Sequence, residues 1–527
     1  MHTTSLFPIG TEYAEYLHDE SRSVGTAEEI AFPTSEQEIQ SLVAEKYGEG
    51  QKITVQGART GLAAAAVPNG GLILNLSKMN HVLGMREDGR QYYLTVEPGV
   101  ILSELRKMIA KKQFDTTGWT ETSIQVYSKF CKDHEFCFFP DPTEVSASIG
   151  GMTACNASGA RSYRYGSVRN HVSALRMITP DGRIISIRRG ESFANEYKAT
   201  FKTTDGELIP VTIPNYQMPD TKNASGYFAR KNMDLIDLLI GSDGTLGIFS
   251  QIELVLSPLP AFIWGVSCMF SNEQQALQFV EMLRNEKTPV ASIEYFDADA
   301  LQVLRRQRER GTAFSGLPVI ETSVNAIVYV ELHCDEYTQT LSQLQSVGNL
   351  FESAGGNKEQ SWVACNENDL NRLMFFRHAV PESVNMLIDQ RRKADPSITK
   401  LGSDMSVPDN CLRQVVQMYR NTLQENKLES AIWGHIGNNH LHVNVLPNNA
   451  EEYNRAKQLF KSWAVQVSKM GGAVSAEHGV GKLKADFLTI MYKEDGIEQM
   501  RKCKEAFDAK GLLGTGNLFS RKDGSIV

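Results

Sequence analysis

The chain has 527 residues, with 54 lysines and arginines against 62 aspartates and glutamates, for a formal net charge of −8. At about 150 residues per domain, that length makes two large units or three to four smaller ones, and the acidic balance excludes general nucleic-acid binding, which needs basic surface against phosphates. A hydrophobic content of 41% with 22% charged residues excludes disorder.

In chain order, residues 1–10 show no basic stretch leading into an apolar one, so no secretory leader is expected. Residues 30–33 read as a short strand. Ser35 with Glu38 makes a capping box, predicting a helix to about Tyr47 with Ile39, Leu42 and Val43 on one face. Residues 52–56 alternate as a strand and complete a β-α-β unit. It ends on the loop Gly57-Ala58-Arg59-Thr60-Gly61-Leu62-Ala63. Strands follow at 71–76 and 92–96, then a helix at 102–109. Residues 115–140 break the pattern and read as an insertion. After Pro140-Asp141-Pro142-Thr143 comes a small-residue run from Ser146 to Gly159. Strands dominate 172–188 around a Pro180-Asp181-Gly182 turn. Gly241-Ser242-Asp243-Gly244-Thr245-Leu246-Gly247-Ile248 leads into a strand at 250–256, and Ser257-Pro258-Leu259-Pro260 marks a domain boundary. Beyond it, strands near 263–270, 292–296 and 325–334 alternate with helices at 273–286 and 337–354. Helices at about 409–426 and 450–470 follow, which makes the class mixed α+β. No apolar run reaches the 18 or so residues of a membrane span. Eight cysteines without a C-x-x-C argue for thiols in a reducing compartment rather than a disulfide scaffold or thiolate cluster. A cytoplasmic protein is expected, with peripheral membrane contact left open.

Two constellations carry chemistry. The first is the pair of small-residue loops at 57–63 and 148–159, whose glycines let backbone N–H groups approach phosphates. Neither is G-x-G-x-x-G. Either alone reads as a structural turn; together with 241–248 in one unit they favour a diphosphate ligand. The second is Trp433-Gly434-His435-Ile436-Gly437-Asn438-Asn439-His440-Leu441-His442-Val443-Asn444. A two-residue turn at Gly437-Asn438 sets His435 opposite His440. His435, His440, His442 and Asn444 then crowd one face of one hairpin, a set suited to a divalent transition metal. A lone histidine would more often be a satisfied core residue. Downstream, Glu477 and His478 are adjacent and point different ways, so one suits a ligand and the other a base. No H-E-x-x-H occurs, so a zincin protease finds no support.

Taken together, Gly57-Ala58-Arg59-Thr60-Gly61, Ile149-Gly150-Gly151 through Asn156-Ala157-Ser158-Gly159, Gly244-Thr245-Leu246-Gly247-Ile248, Gly434-His435-Ile436-Gly437 with Leu441-His442, and Glu477-His478-Gly479 resemble a known family. The first half resembles the FAD-binding domain of the vanillyl-alcohol-oxidase, or PCMH, type. The second half resembles the FAD-linked oxidase C-terminal domain of D-lactate, glycolate and D-2-hydroxyglutarate dehydrogenases. The resemblance spans about 25–515 and implies an α+β fold. A PCMH-type FAD-binding domain of two α+β subdomains would occupy 25–257. A mixed α+β substrate-binding cap with an antiparallel sheet would span 258–495, and a C-terminal helical segment at 496–527 would return to the first domain.

The resemblance also implies roles. FAD would be held by Gly57, Ala58, Arg59, Thr60, Gly61, Leu62, Pro140, Thr143, Gly150, Gly151, Thr153, Asn156, Ser158, Gly159, Tyr165, Gly166, Gly244 and Ile248. With no histidine in the pyrophosphate loop, the flavin is expected to be non-covalent. A divalent metal, Zn2+ before Mn2+ or Fe2+, would sit on His435, His442 and Glu477. His478 matches the catalytic base, Arg377 the arginine for the substrate carboxylate, Asn444 a substrate-facing side chain and Lys400 a second basic contact. The implied reaction oxidises a small D-2-hydroxy acid, D-lactate-like, to the 2-oxo acid. The electron acceptor would be a quinone, an electron-transfer flavoprotein, a cytochrome or oxygen, and a homodimer is possible. Alternatives are a same-fold alcohol or aldehyde oxidase or ether-lipid synthase without the metal role, and a flavin-free zinc protein. The sequence departs from the family's Gly-Asp-Gly-Asn before Leu-His, reading Gly437-Asn438-Asn439-His440. A fourth ligand, a hydrogen-bond donor behind the ligands and an exposed side chain are all open to His440. The usual Leu-Asn-Pro-Gly-Lys ending is replaced by Leu513-Gly514-Thr515-Gly516-Asn517.

Overall fold

The computed structural model describes residues 5–311 and 313–519. Residues 1–4 of the leader reading and 520–527 of the expected C-terminal segment lie outside them. The first sheet has four strands, ordered Leu6–Pro8, Glu29–Ala31, Leu72–Asn75, Ile53–Gln56, the last three parallel. Leu72–Asn75 is buried along its length, as a parallel strand covered on both faces must be. Ser35 caps the helix Glu36–Gly48 by accepting from Glu38 N. The Glu38 carboxylate instead turns to Thr34, bonding its N at 2.7 Å and its Oγ1 at 3.1 Å, so the box is only half formed.

The second sheet is antiparallel, ordered Val82–Asp88, Gln91–Val96, Ile248–Pro258, Val172–Ile178, Ile184–Arg188, and Phe136–Cys137 adds to Ile248–Pro258. The 115–140 insertion folds over its edge. It forms the helix Glu121–Phe130, Trp119 Nε1 donates to Val82 O at 2.8 Å, and Ser123 Oγ bonds both main-chain groups of Met85. A covered edge strand is closed to pairing with other chains.

In mid-sheet, Glu253 accepts from Arg86, Arg188 and Ser173. Burial alone would raise this carboxyl, but those hydrogen bonds bring it down to about 2. Because its folded pKa lies below the ordinary 4.5, the stabilisation is full above 4.5 and is lost as pH falls toward 2. Glu253→Gln is expected to cost about 2 kcal/mol at neutral pH, discounted for the half-exposed arginines. In a domain of this size that is a fall in Tm of about 4–8 °C. Thermal melts should show the gap between variant and parent closing in acid.

The second half is built on an eight-stranded antiparallel sheet, ordered Ser361–Ala364, Phe262–Phe270, Ala326–Cys334, Val290–Asp297, Ser430–His435, His440–Val445, Leu401–Gly402, with Met405–Ser406 also on His440–Val445. Its central strands are buried throughout. Helices Glu273–Asn285, Tyr337–Ser353, Leu412–Glu425 and Ala450–Lys469 cover one face, while Ala298–Glu309 and Glu367–Arg392 cover the other. The last two helices escape the sequence reading. Glu367–Arg392 contains Pro381 and many polar residues. Pro381 also lacks the N–H that would bond the carbonyl of Arg377, four residues earlier.

The chain returns to the first core at Val480, before the expected boundary at 496. Leu488, Tyr492, Ile497, Met500 and Cys503 of the helix Ala485–Glu505 pack with Tyr227 and Leu246 there. All eight cysteines are free thiols, and among the described residues no helix is long and apolar enough to cross a membrane.

Candidate active site

A cavity opens between the loop after Ile53–Gln56 and the helix Ile149–Cys155. Gly57, Ala58, Arg59, Thr60, Gly61, Leu62, Thr143, Gly150, Gly151, Ser158, Gly244 and Ile248 line it, as do Glu477 and His478. Ser148 joins its two loops, its Oγ accepting from Gly151 N and Ala58 N at 3.3 Å each. A Cβ on Gly57 would lie 2.1 Å from that oxygen, and one on Gly150 would lie 2.6 Å from Pro98 Cβ. A methyl group would displace the Ser148 hydroxyl that joins the loops at the first position and collide with Pro98 at the second. Walls of glycine and alanine leave room for a long, flat cofactor and fit FAD. Gly57→Ala is expected to weaken FAD binding at least about tenfold, roughly 1.4 kcal/mol, in a fluorescence titration of the apoprotein.

The other six expected cofactor residues lie outside the lining. Pro140 O accepts from Arg106, Thr153 Oγ1 donates to Ile149 O, and Asn156, left-handed at φ 52°, ends the helix and holds Arg169 N. Tyr165 stacks on Phe139 with centroids 3.6 Å apart, and its hydroxyl meets His333 Nδ1 at 2.7 Å. Gly159 and Gly166 leave space for Asp141 O and the Asn170 side chain. These residues shape the loops behind the cavity wall. The altered C-terminal ending also has a place: Asn517 Nδ2 donates to Ala65 O and Asp243 O, and its Oδ1 accepts from Lys482. Asp243 Oδ2 in turn accepts from Val480 N and Gly481 N at 2.9 Å each.

Glu477 joins the cavity lining to the histidine hairpin. His435 stands opposite His440, in the expected register. The turn is four residues, not two: Ile436–Asn438 form a 3-10 turn and Asn439 is left-handed at φ 49°. The reason is anchoring by Asn439 Nδ2, which donates to Val407 O at 3.1 Å and Asp409 Oδ1 at 3.0 Å. The three imidazoles lie 4.4–5.4 Å apart. Each outer nitrogen faces an acceptor: His435 Nδ1 meets Glu294 Oε1 at 2.8 Å, His442 Nδ1 meets Ser403 O at 3.3 Å, and His440 Nε2 lies 3.0 Å from Asp404 Oδ1. Each inner nitrogen turns to Glu477, at 3.4 Å from His435, 3.3 Å from His442 and 3.8 Å from His440. One donor atom from each of the four side chains lies within 4.8 Å of the others. Imidazoles oriented from behind by carboxylates or carbonyls, with free nitrogens converging, make a donor set fitted to a divalent cation. His440 is wholly buried, which excludes the exposed role.

Electrostatics sharpen the picture. Burial draws the His435 imidazole down, but Glu294 and Glu477 together raise its pKa to about 9. Burial and then the His442 neighbour lower His440 to about 3. Glu477 would be raised by burial, yet Lys222, His435 and His440 hold it well below the carboxylate range. His478 lies between Asp404 Oδ2 at 3.4 Å and Glu477 Oε1 at 3.5 Å, its ring stacked on His442. Burial lowers it to about 4 against the pull of Asp404, so at neutral pH it carries no proton to spare and accepts one.

Arg377 stands mid-helix with Nε on Glu294 Oε2 at 3.1 Å. One carboxylate thus positions both the arginine and His435, and though burial would raise it, Arg377 and His435 hold it at about 2. Beyond a long contact from Nη1 to Met374 Sδ at 3.9 Å, the guanidinium's Nη groups have no hydrogen-bond partner among the described residues. Asn444 Nδ2 donates to His442 O at 3.2 Å, while its Oδ1 is buried without a partner. Lys400 lies two residues before Gly402, which pairs with Asn444. The Lys400 side chain is solvent-exposed. No contact joins it to the histidine cluster among the described residues.

The sequence reading missed Lys222, Asp404 and Glu294. Lys222 Nζ reaches Glu477 Oε2 at 2.7 Å from a loop without any periodic signal. Asp404 gathers the 475–484 segment, accepting from Ser475 Oγ at 2.7 Å, Glu477 N and His478 N at 3.1 Å, and Lys484 Nζ at 2.5 Å. Glu294 had a visible signal: a lone carboxylate in the apolar run Ile293-Glu294-Tyr295-Phe296, where an acid is seldom buried unless paired.

Comparison with known proteins agrees with this layout. The profile of the FAD linked oxidases, C-terminal domain, matches residues 259–518, and that of an FAD binding domain matches 27–125 and 122–188. The chain is 24% identical to a D-lactate dehydrogenase of Anaerostipes hadrus, over 97% of this chain and 94% of that one. It is 25% identical to the glycolate oxidase subunit GlcD of Bacillus subtilis (93% and 89%) and 24% identical to a D-2-hydroxyglutarate dehydrogenase of Stutzerimonas stutzeri (93% and 90%). An alkyldihydroxyacetonephosphate synthase structure superposes with a TM-score of 0.62 at 14% identity, covering 97% of this chain and 81% of that one, which speaks to the fold alone. With both domain profiles matched in order and relatives aligned end to end, the chain belongs to the FAD-linked D-2-hydroxy-acid dehydrogenase family and is an FAD-dependent oxidoreductase.

Proposed function

We propose that this enzyme oxidises a small D-2-hydroxy acid to the 2-oxo acid, with a divalent cation on His435, His442 and Glu477 and a non-covalent FAD in the glycine-lined cavity. One observation carries the reading: Glu477 and His478 line the flavin cavity, and the same Glu477 receives the inner nitrogens of the histidine hairpin. Cofactor and cluster share one wall. When bound, FAD supplies a two-electron acceptor for the C2 hydride, and the cation supplies Lewis acidity toward the substrate oxygens.

The chain's own residues do the rest. Arg377 offers its two Nη groups as a fork for the carboxylate, a geometry lysine lacks. Neutral His478 takes the 2-hydroxyl proton. Asp404 fixes the loop that carries both His478 and Glu477. The relatives named above act on D-lactate and D-2-hydroxyglutarate, which supports the substrate class. Read as a metal centre, the cluster of three imidazoles and Glu477 favours the hydroxy-acid reading over an alcohol oxidase or ether-lipid synthase role that uses no metal.

The test is an anaerobic visible spectrum of the purified protein with D- and L-2-hydroxy acids. The flavin band (near 450 nm, roughly, for oxidised FAD) is expected to bleach with a D-acid and to stop bleaching after chelation. A flavin that no 2-hydroxy acid reduces would refute the substrate class, and reduction unaffected by chelation would refute the metal role.

A further inference from the structure

We propose that His440 is a fourth protein ligand, so that the cation is held by three imidazoles and one carboxylate. The inference rests on the reading of the cluster as a metal centre. His440 is 0% exposed, and neither ring nitrogen makes a well-directed hydrogen bond. A polar ring buried unsatisfied is costly, so the position calls for a partner. Nε2 lies 3.0 Å from Asp404 Oδ1, the placement of an orienting carboxylate. Nδ1 lies 3.8 Å from Glu477 Oε2, on the side where the inner nitrogens of His435 and His442 also meet Glu477.

A purely supporting role explains one nitrogen and leaves the other facing the cluster with nothing to bind. Lys222 does not fill that role. Its Nζ is directed at Glu477 Oε2 at 2.7 Å and Gly159 O at 3.3 Å, and among the described residues it makes no hydrogen bond to His440. Asp404 thus has two tasks, fixing the Glu477–His478 backbone and presenting His440 Nδ1.

The test uses the full-length FAD-loaded protein, stripped of metal and titrated with ZnCl2 or MnCl2 by calorimetry, alongside His440→Asn. The wild type is expected to bind one equivalent, and the variant to bind at least tenfold more weakly with unchanged flavin content and metal-free Tm. X-ray absorption of the zinc-loaded wild type should count three imidazoles, falling to two in the variant. Two imidazoles in the wild type, or equal affinity in the two proteins, overturns the proposal while leaving the metal centre intact. Absence of any binding to the wild type overturns the metal centre itself. Should the variant not fold, the imidazole count of the wild type decides alone.

Discussion

His478→Asn is expected to lower kcat at least 100-fold, with KM changing little and FAD content unchanged. A positioned general base contributes about 10²–10⁴ in rate, and His478 meets the requirements of one. It lines the flavin cavity. Its pKa is lowered to about 4, so the neutral imidazole is the dominant form across the physiological range. Asparagine keeps a similar volume and a polar tip but takes no proton. The substitution gives up the 3.4 Å approach of the imidazole to Asp404 but leaves in place the bonds by which Asp404 holds the loop, from the backbone N–H groups of residues 477 and 478 and the side chains of Ser475 and Lys484. That separation of tasks makes the variant informative. The pH profile adds a second readout: because the base must be unprotonated, the wild-type rate should hold through pH 6 and fall as pH drops toward 4. The residual activity of the variant should lack that limb. A variant within threefold of wild-type kcat would remove His478 from the reaction.

What the sequence disclosed, and what it hid, follows from the range of each interaction. Strand alternation at 441–445 and the positions of the histidines predicted the pairing of His435 with His440, because cross-strand partners obey a short-range geometric rule. The turn between them was misjudged at two residues, because its form is set by Asn439 reaching Val407 and Asp409, thirty positions away along the chain. Glycines 57, 150 and 151 were legible as cavity residues because small side chains in a loop are a local signal. Thr153, Asn156 and Gly166 carry the same local signal and serve the loop's own architecture. Lys222, Asp404 and Glu294 converge on Glu477 and its histidines from three distant segments, and only the assembled sheets bring them together. The helix bearing Arg377 was masked by Pro381 and its polar surface. It is stabilised by tertiary packing of Leu373, Phe376, Val380 and Val384 rather than by propensity.

Arg377→Lys is expected to lower kcat/KM by about 10²–10³, mostly through KM, with a smaller loss in kcat. The main loss is geometric. Glu294 takes only Nε, and neither Nη bonds it, so the wild-type side chain grips Glu294 with one nitrogen and keeps its Nη pair for substrate. A lysine ammonium is a single point that must serve either Glu294 or the substrate carboxylate. The smaller loss has a separate origin: Glu294 holds His435 Nδ1 at 2.8 Å with its other oxygen. A lysine that turns to the substrate leaves that buried carboxylate unpaired, and breaking a buried pair costs about 3–5 kcal/mol. The carboxylate will shift to recover a partner, and His435 will lose its fixed orientation. Glu294→Gln separates the two effects, since it keeps Arg377's fork while weakening its anchor and that of His435. It should therefore lower metal affinity and kcat with less change in KM. Coupling through Glu294 also predicts non-additivity, because residues sharing one network do not contribute independently. The double variant should fall short of the product of the two single losses, whereas strictly multiplicative losses would show that Arg377 and His435 act through separate supports.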